Sequence, residues 1–113
     1  MATFYMKRND TRPKLDVSLK DSDDEYLDLT VSGVSVNFTM KESDGSTIIV
    51  DSQACTIVNG LTGSVRYSWA AADTATAGAY LAEFEVVYAN GDKLTVPTTN
   101  PLAVVILEDY NAV

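Results

Sequence analysis

The sequence predicts an all-β fold, a single antiparallel sandwich, and three observations predict it. Apolar and polar residues alternate in segment after segment, the period-2 pattern of half-buried strands. Turn signals separate those segments at near-regular spacing, which favours a sandwich over βαβ units. No helical period runs longer than a turn or two.

Taken in order, Phe4 and Met6 open a first strand, and Asn9-Asp10-Thr11-Arg12-Pro13 breaks it because Pro13 cannot donate to a ladder. Leu15, Val17 and Leu19 then alternate with Lys14, Asp16, Ser18 and Lys20. An acidic loop, Asp21 to Glu25, leads into a predicted strand through Leu27, Leu29 and Val31. Val34, Val36, Phe38 and Met40 give the cleanest alternation of the first half. Asp44-Gly45 is a hairpin signal before Thr47 to Val50, and Ala54 to Val58 makes another strand ended by Asn59-Gly60. Val65, Tyr67 and Trp69 face one way, with Ser64, Arg66 and Ser68 facing the other. Asn90-Gly91 turns the long strand from Tyr80 back into Lys93 to Val96, and Leu102 to Leu107 is the last strand. The predicted domain is 1–107, followed by a short tail, 108–113.

One connection carries more information than the rest. Asp73 to Gly78 reads as one turn of helix closed by a glycine able to adopt the left-handed conformation. Tyr80 starts the next strand two residues before Ala82, with Tyr80, Ala82, Phe84 and Val86 inward and Glu83 and Glu85 outward. Immunoglobulin-like sandwiches place a tyrosine there, its hydroxyl bonded back to the corner backbone, with a cysteine two residues on. Asp73, Gly78 and Tyr80 are therefore the expected structural corner. Alanine at position 82 means that an immunoglobulin-like sandwich must hold here without the inter-sheet disulfide.

Composition excludes much chemistry. The 113 residues suffice for one core and carry 16 acidic against 8 basic side chains, a formal charge of −8. That balance disfavours nucleic acid and anionic membranes as partners, since phosphate binding needs clustered Lys and Arg. No apolar run approaches the ~20 residues of a membrane span. The first residues lack the pattern of a secretory signal, so synthesis in a cytoplasm without export is the expectation. There is no histidine, which removes imidazole triads, metal sites and proton shuttles. The single cysteine, Cys55, cannot form an internal disulfide and reads as a small buried hydrophobe.

Pieces of the chain match a known family in order and spacing: Asp10-Thr11-x-Pro13-x-Leu15, Leu19-x-Asp21, Asp28-Leu29-Thr30 and Val36-x-Phe38-x-Met40. They continue through Gly63-x-Val65-x-Tyr67-x-Trp69, Asp73-Thr74-x-x-Ala77-Gly78-x-Tyr80-x-Ala82-Glu83-Phe84, Asn90-Gly91 and Thr95-x-Pro97. In these the sequence resembles the N-terminal domain of phage baseplate upper proteins, an immunoglobulin-like module of tail and adhesion-related structural proteins. The resemblance implies a virion location and other virion proteins, of tail, baseplate or capsid, as partners. Upper baseplate proteins of this type have a further segment that carries the receptor-binding protein. This sequence does not include it, so the adaptor role is not carried over.

Each candidate site has a plainer reading beside it. Asp21, Asp23 and Glu25, with Asp24 and Asp28, have spacing that can offer calcium several oxygens, but they lack the glycine and distal glutamate of an EF-hand. A solvated loop explains them as well. Glu83 and Glu85 share a strand face, yet glycosidase chemistry needs a cleft with one carboxyl desolvated. Tyr67 and Trp69 alternate inward and read as core rather than a sugar platform. No catalytic residue or cofactor is expected.

The expected function is a non-enzymatic virion structural protein: an assembly module of the tail or baseplate, or a small decoration protein, associating with its own copies in the particle. The alternative is a host-attachment module for carbohydrate or protein, assisted by calcium. Sheet edges and termini are the expected contact elements. They are Ala2 to Arg8 and Leu107 to Val113, with Phe4, Met6, Leu81, Val87 and Tyr110 as contact side chains.

Overall fold

A computed structural model of the chain describes residues 3–97 and 101–108. Among the described residues nine strands form two sheets: β1 (Thr3–Lys7), β2 (Leu15–Ser18), β3 (Ser35–Glu42), β4 (Ile48–Ala54), β5 (Thr56–Asn59), β6 (Ser64–Tyr67), β7 (Gly78–Val87), β8 (Lys93–Val96) and β9 (Leu102–Leu107). The large sheet runs β1-β9-β7-β3-β4, and the small one β2-β6-β5. The ten residues of β7 serve two neighbours on one side: Gly78 to Ala82 pair with β9, and Phe84 to Val87 with β8. The fold is the expected all-β sandwich with no disulfide. It is not wholly antiparallel, because β1 runs parallel to β9 with Thr3 opposite Ala103 and Lys7 opposite Leu107.

The alternation of the sequence becomes the core directly. From the large sheet, Met6, Val36, Phe38, Met40, Val50, Tyr80, Ala82, Phe84, Val86, Val96, Leu102, Val104 and Ile106 point inward. Leu15, Val65, Tyr67 and Trp69 meet them from the small-sheet side. Phe38 is the hub. It lies opposite Phe84 in the register, stacks on Tyr67 with centroids 4.4 Å apart, and meets Trp69 edge-on at 5.6 Å. Tilted and edge-on rings let aromatic quadrupoles attract while filling space, worth about 0.5–1.5 kcal/mol per pair beyond burial.

Two expectations need correction. Leu27, Leu29 and Val31 form no strand: only Lys20 and Tyr26 bridge, and the chain beyond them is a loop. Leu27 and Leu29 are buried all the same, whereas Val31 is 52 % exposed. The loop is held where Leu27 donates to the Leu19 carbonyl (2.9 Å) and Leu29 to the Gly60 carbonyl (2.8 Å), Leu19 in turn donating to the Gly63 carbonyl (2.8 Å). Gly63 is needed there, because at φ 63° a Cβ would lie 2.7 Å from the Leu19 carbonyl oxygen.

The second correction concerns the corner. Its helical turn is a 3-10 turn over Ala71–Thr74, earlier than the expected Asp73 to Gly78, and Ala75 follows it in the right-handed region. Gly78 does not close the turn; it is the first residue of β7, at φ 156°.

Candidate assembly surface

The corner is built from side chains that satisfy its backbone. The Tyr67 hydroxyl donates to the Asp73 carboxylate (2.6 Å), and the Ala70 amide donates to the same oxygen (2.8 Å). The Tyr80 hydroxyl donates to the Thr76 carbonyl (2.6 Å). Thr74, fully buried, donates to the Asp10 carbonyl (2.9 Å), and Asn9 returns a bond to the Thr74 carbonyl. The β6–β7 connection is thereby tied to the β1–β2 connection. Burial raises the Tyr67 hydroxyl well above the ordinary tyrosine range, and the adjacent Asp73 carboxylate adds to the rise. Burial, with Glu42 nearby, raises Tyr80 in the same direction. These are structural bonds, since every donor ends on a backbone or carboxylate oxygen of the corner or of the β1–β2 connection packed on it.

The acidic loop also closes on itself. The Asp21 carboxylate accepts from the amides of Asp23 (2.9 Å) and Glu25 (3.1 Å), while Asp24 lies 3.3 Å from the Lys20 ammonium. Among the described residues no three Asp, Glu or Cys side chains gather as a metal-ligand set. Cys55, between β4 and β5, is only partly buried; desolvation pushes its thiol up to about 12, far from a nucleophile's range.

The outer face of the large sheet gathers apolar side chains in adjacent rows among polar ones; Tyr26, Val31, Val58 and Leu61 are exposed elsewhere on the molecule. Its register sets Tyr5, Val105 and Ala79 in one row across β1, β9 and β7, with Ala103, Leu81 and Lys41 in the next. Tyr5 is 61 % exposed, Ile48 57 % and Leu107 42 %. Leu81 and Val87 face outward beside Glu83 and Glu85, and a shallow groove runs between Thr39, Lys41, Ile48, Leu81, Glu83 and Pro101. Both glutamates point into this open face. On the small sheet, Asp16 and Arg66 sit opposite each other on the outer face and form an ion pair at 2.6 Å, while Val58 on β5 is 51 % exposed.

The sequence-predicted contact residues therefore divide. Leu81 and Val87 lie on the outer face, whereas Met6 is in the core and Phe4 is half-buried against Trp69. Tyr110 lies outside the described residues. The outward side chain of β1 is Tyr5, which sequence reasoning missed because Phe4-Tyr5-Met6 is apolar throughout and gives no parity. A second apolar strand beside it, β9, has the same ambiguity.

Against known proteins, the BppU N-terminal domain model, that of the baseplate upper protein, matches residues 4–110. The chain belongs to that family. Members are phage baseplate-related domains, which supports a virion structural role, association with other virion proteins and a virion location. No curated protein matches. Among solved structures, the crystal structure of CopC from Methylosinus trichosporium OB3b is similar with a TM-score of 0.55 at 10 % identity, covering 100 % of this chain and 91 % of that one. At that identity the likeness is one of fold alone. This baseplate-family domain contains no helix long and apolar enough to cross a membrane among its described residues.

Proposed function

We propose that this chain is a non-enzymatic assembly module of a phage tail or baseplate, and that it associates through the outer face of its large sheet. Family membership across residues 4–110 carries the reading. The apolar rows on that face supply the chemistry, because burying Tyr5, Leu81, Ala103, Val105 and Leu107 against a neighbour removes apolar area from water. Lys41, Glu83 and Glu85 interrupt the rows and give a partner directional contacts, as a non-obligate interface requires.

Quantitative mass spectrometry of purified particles tests the placement. A few copies per particle support the tail or baseplate. Copies in proportion to the shell would make the chain a capsid decoration protein, and complete absence would sink the virion reading.

A further inference from the structure

We infer that strand β1 is a self-pairing edge, adding antiparallel to β1 of a second copy of this chain about Tyr5. The inference deepens the assembly reading by naming one contact, and it rests on that reading only for its purpose in the particle.

The backbone sets the geometry. Arg8 donates to the Leu107 carbonyl at 2.8 Å, and β1 and β9 are in parallel register from Thr3 to Lys7. Bonding alternates along a parallel strand, so Phe4, Met6 and Arg8 direct their amides and carbonyls toward β9. Thr3 and Tyr5 direct theirs away from the sheet. A second β1 running antiparallel, with Tyr5 opposite Tyr5, receives two reciprocal amide-to-carbonyl bonds at the centre, with Thr3 of each copy opposite Lys7 of the other.

The other edges are more heavily blunted than the centre of β1. β4 carries register shifts against β3, a positive φ at Ser52 (50°) and the polar run Asp51-Ser52-Gln53. β5 has a shift between Ile57 and Asn59, and β2 and β8 have four residues each, with Pro13 close before β2. Bulges, short strands, charges and prolines are the devices that keep an edge from pairing. β1 has five residues in unbroken register and no proline; its one charge, Lys7, stands at its end, where the Lys7 carbonyl accepts from the Asp10 amide (3.2 Å).

The side chains suit a second copy. The twofold axis stands perpendicular to the sheet, so both outer faces stay on the same side. The two Tyr5 rings, each 61 % exposed, meet across the axis as an aromatic cross-strand pair. The register keeps the basic ends, Lys7 and Arg8, away from each other. On the inner side, an apolar groove beside β1 lined by Phe4, Leu15, Val17 and Leu102 lies against the joint.

Sedimentation of the isolated chain over a wide concentration range, with Tyr5→Pro and Tyr5→Lys beside it, decides the matter. Proline removes an amide that does not serve β9, and edge strands accept it where the amide faces solvent. Lysine places like charges directly opposite each other. The wild type should dimerise with rising protection of the Tyr5 amide, and either folded variant should associate roughly 10- to 100-fold more weakly, the proline by losing the two central hydrogen bonds and the lysine by opposing like charges. A wild type that stays monomeric up to millimolar concentration overturns the pairing. So does a dimer that survives whichever variant keeps the wild-type circular dichroism. Neither result bears on whether the chain is found in particles, so the two readings fail separately.

Discussion

The two sheets cover one core but present opposite outer faces. On the β2–β6 pair of the small sheet, outward Asp16 and Arg66 pair with each other beside Ser18 and Ser64, and exposed Val58 stands alone on β5. On the large sheet, the outward row Tyr5-Val105-Ala79 lies beside Ala103-Leu81, which ends on Lys41. A face that needs only water carries little information about partners. The contrast places folding in the shared interior, and the proposed association rests on the apolar rows of one outer face.

The comparison breaks completely if the shared interior fails. Phe38→Ala removes the ring that joins the sheets, and chemical denaturation should show a loss of about 3–5 kcal/mol, as for buried aromatic truncations. Gly63→Ala attacks the small-sheet side alone. The left-handed conformation and the contact with the Leu19 carbonyl should cost about 1–3 kcal/mol, read as a lower denaturation midpoint with unchanged slope. Tyr80→Phe removes one corner bond for about 0.5–1.5 kcal/mol while keeping the ring in the core.

A pH series sharpens the contrast further, because the groups with raised values, Tyr67, Tyr80 and Cys55, are interior or partly so. Each stays protonated in the fold at a pH where the unfolded chain releases the proton. Their contribution is complete below the unfolded values, about 8.5 for Cys and about 10 for Tyr, and falls as pH rises toward the folded ones. The melting temperature should therefore decline above about pH 9, and less steeply in Tyr67→Phe.

Much of this was legible in the sequence. The period-2 segments located the strands and the inward residues, since a half-buried strand must alternate. Where both parities were apolar, as in Phe4-Tyr5-Met6 and Leu102 to Leu107, alternation could not say which side faced water. Leu27 and Leu29 alternated like a strand but are loop residues, held by hydrogen bonds to the carbonyls of Gly60 and neighbouring chain that no local pattern announces. The parallel β1–β9 pair was likewise beyond reach, because strands so far apart in the chain leave no turn chemistry to set their direction.

The most direct test of the account replaces one outward residue on each sheet. Leu81→Lys and Ser64→Lys are both surface changes and should each shift stability by less than about 0.5 kcal/mol. In particles assembled from equal mixtures of wild-type and variant chain, mass spectrometry should find Leu81→Lys depleted and Ser64→Lys at parity. Equal incorporation of both variants would contradict the claim that the large sheet's outer face is the assembly surface.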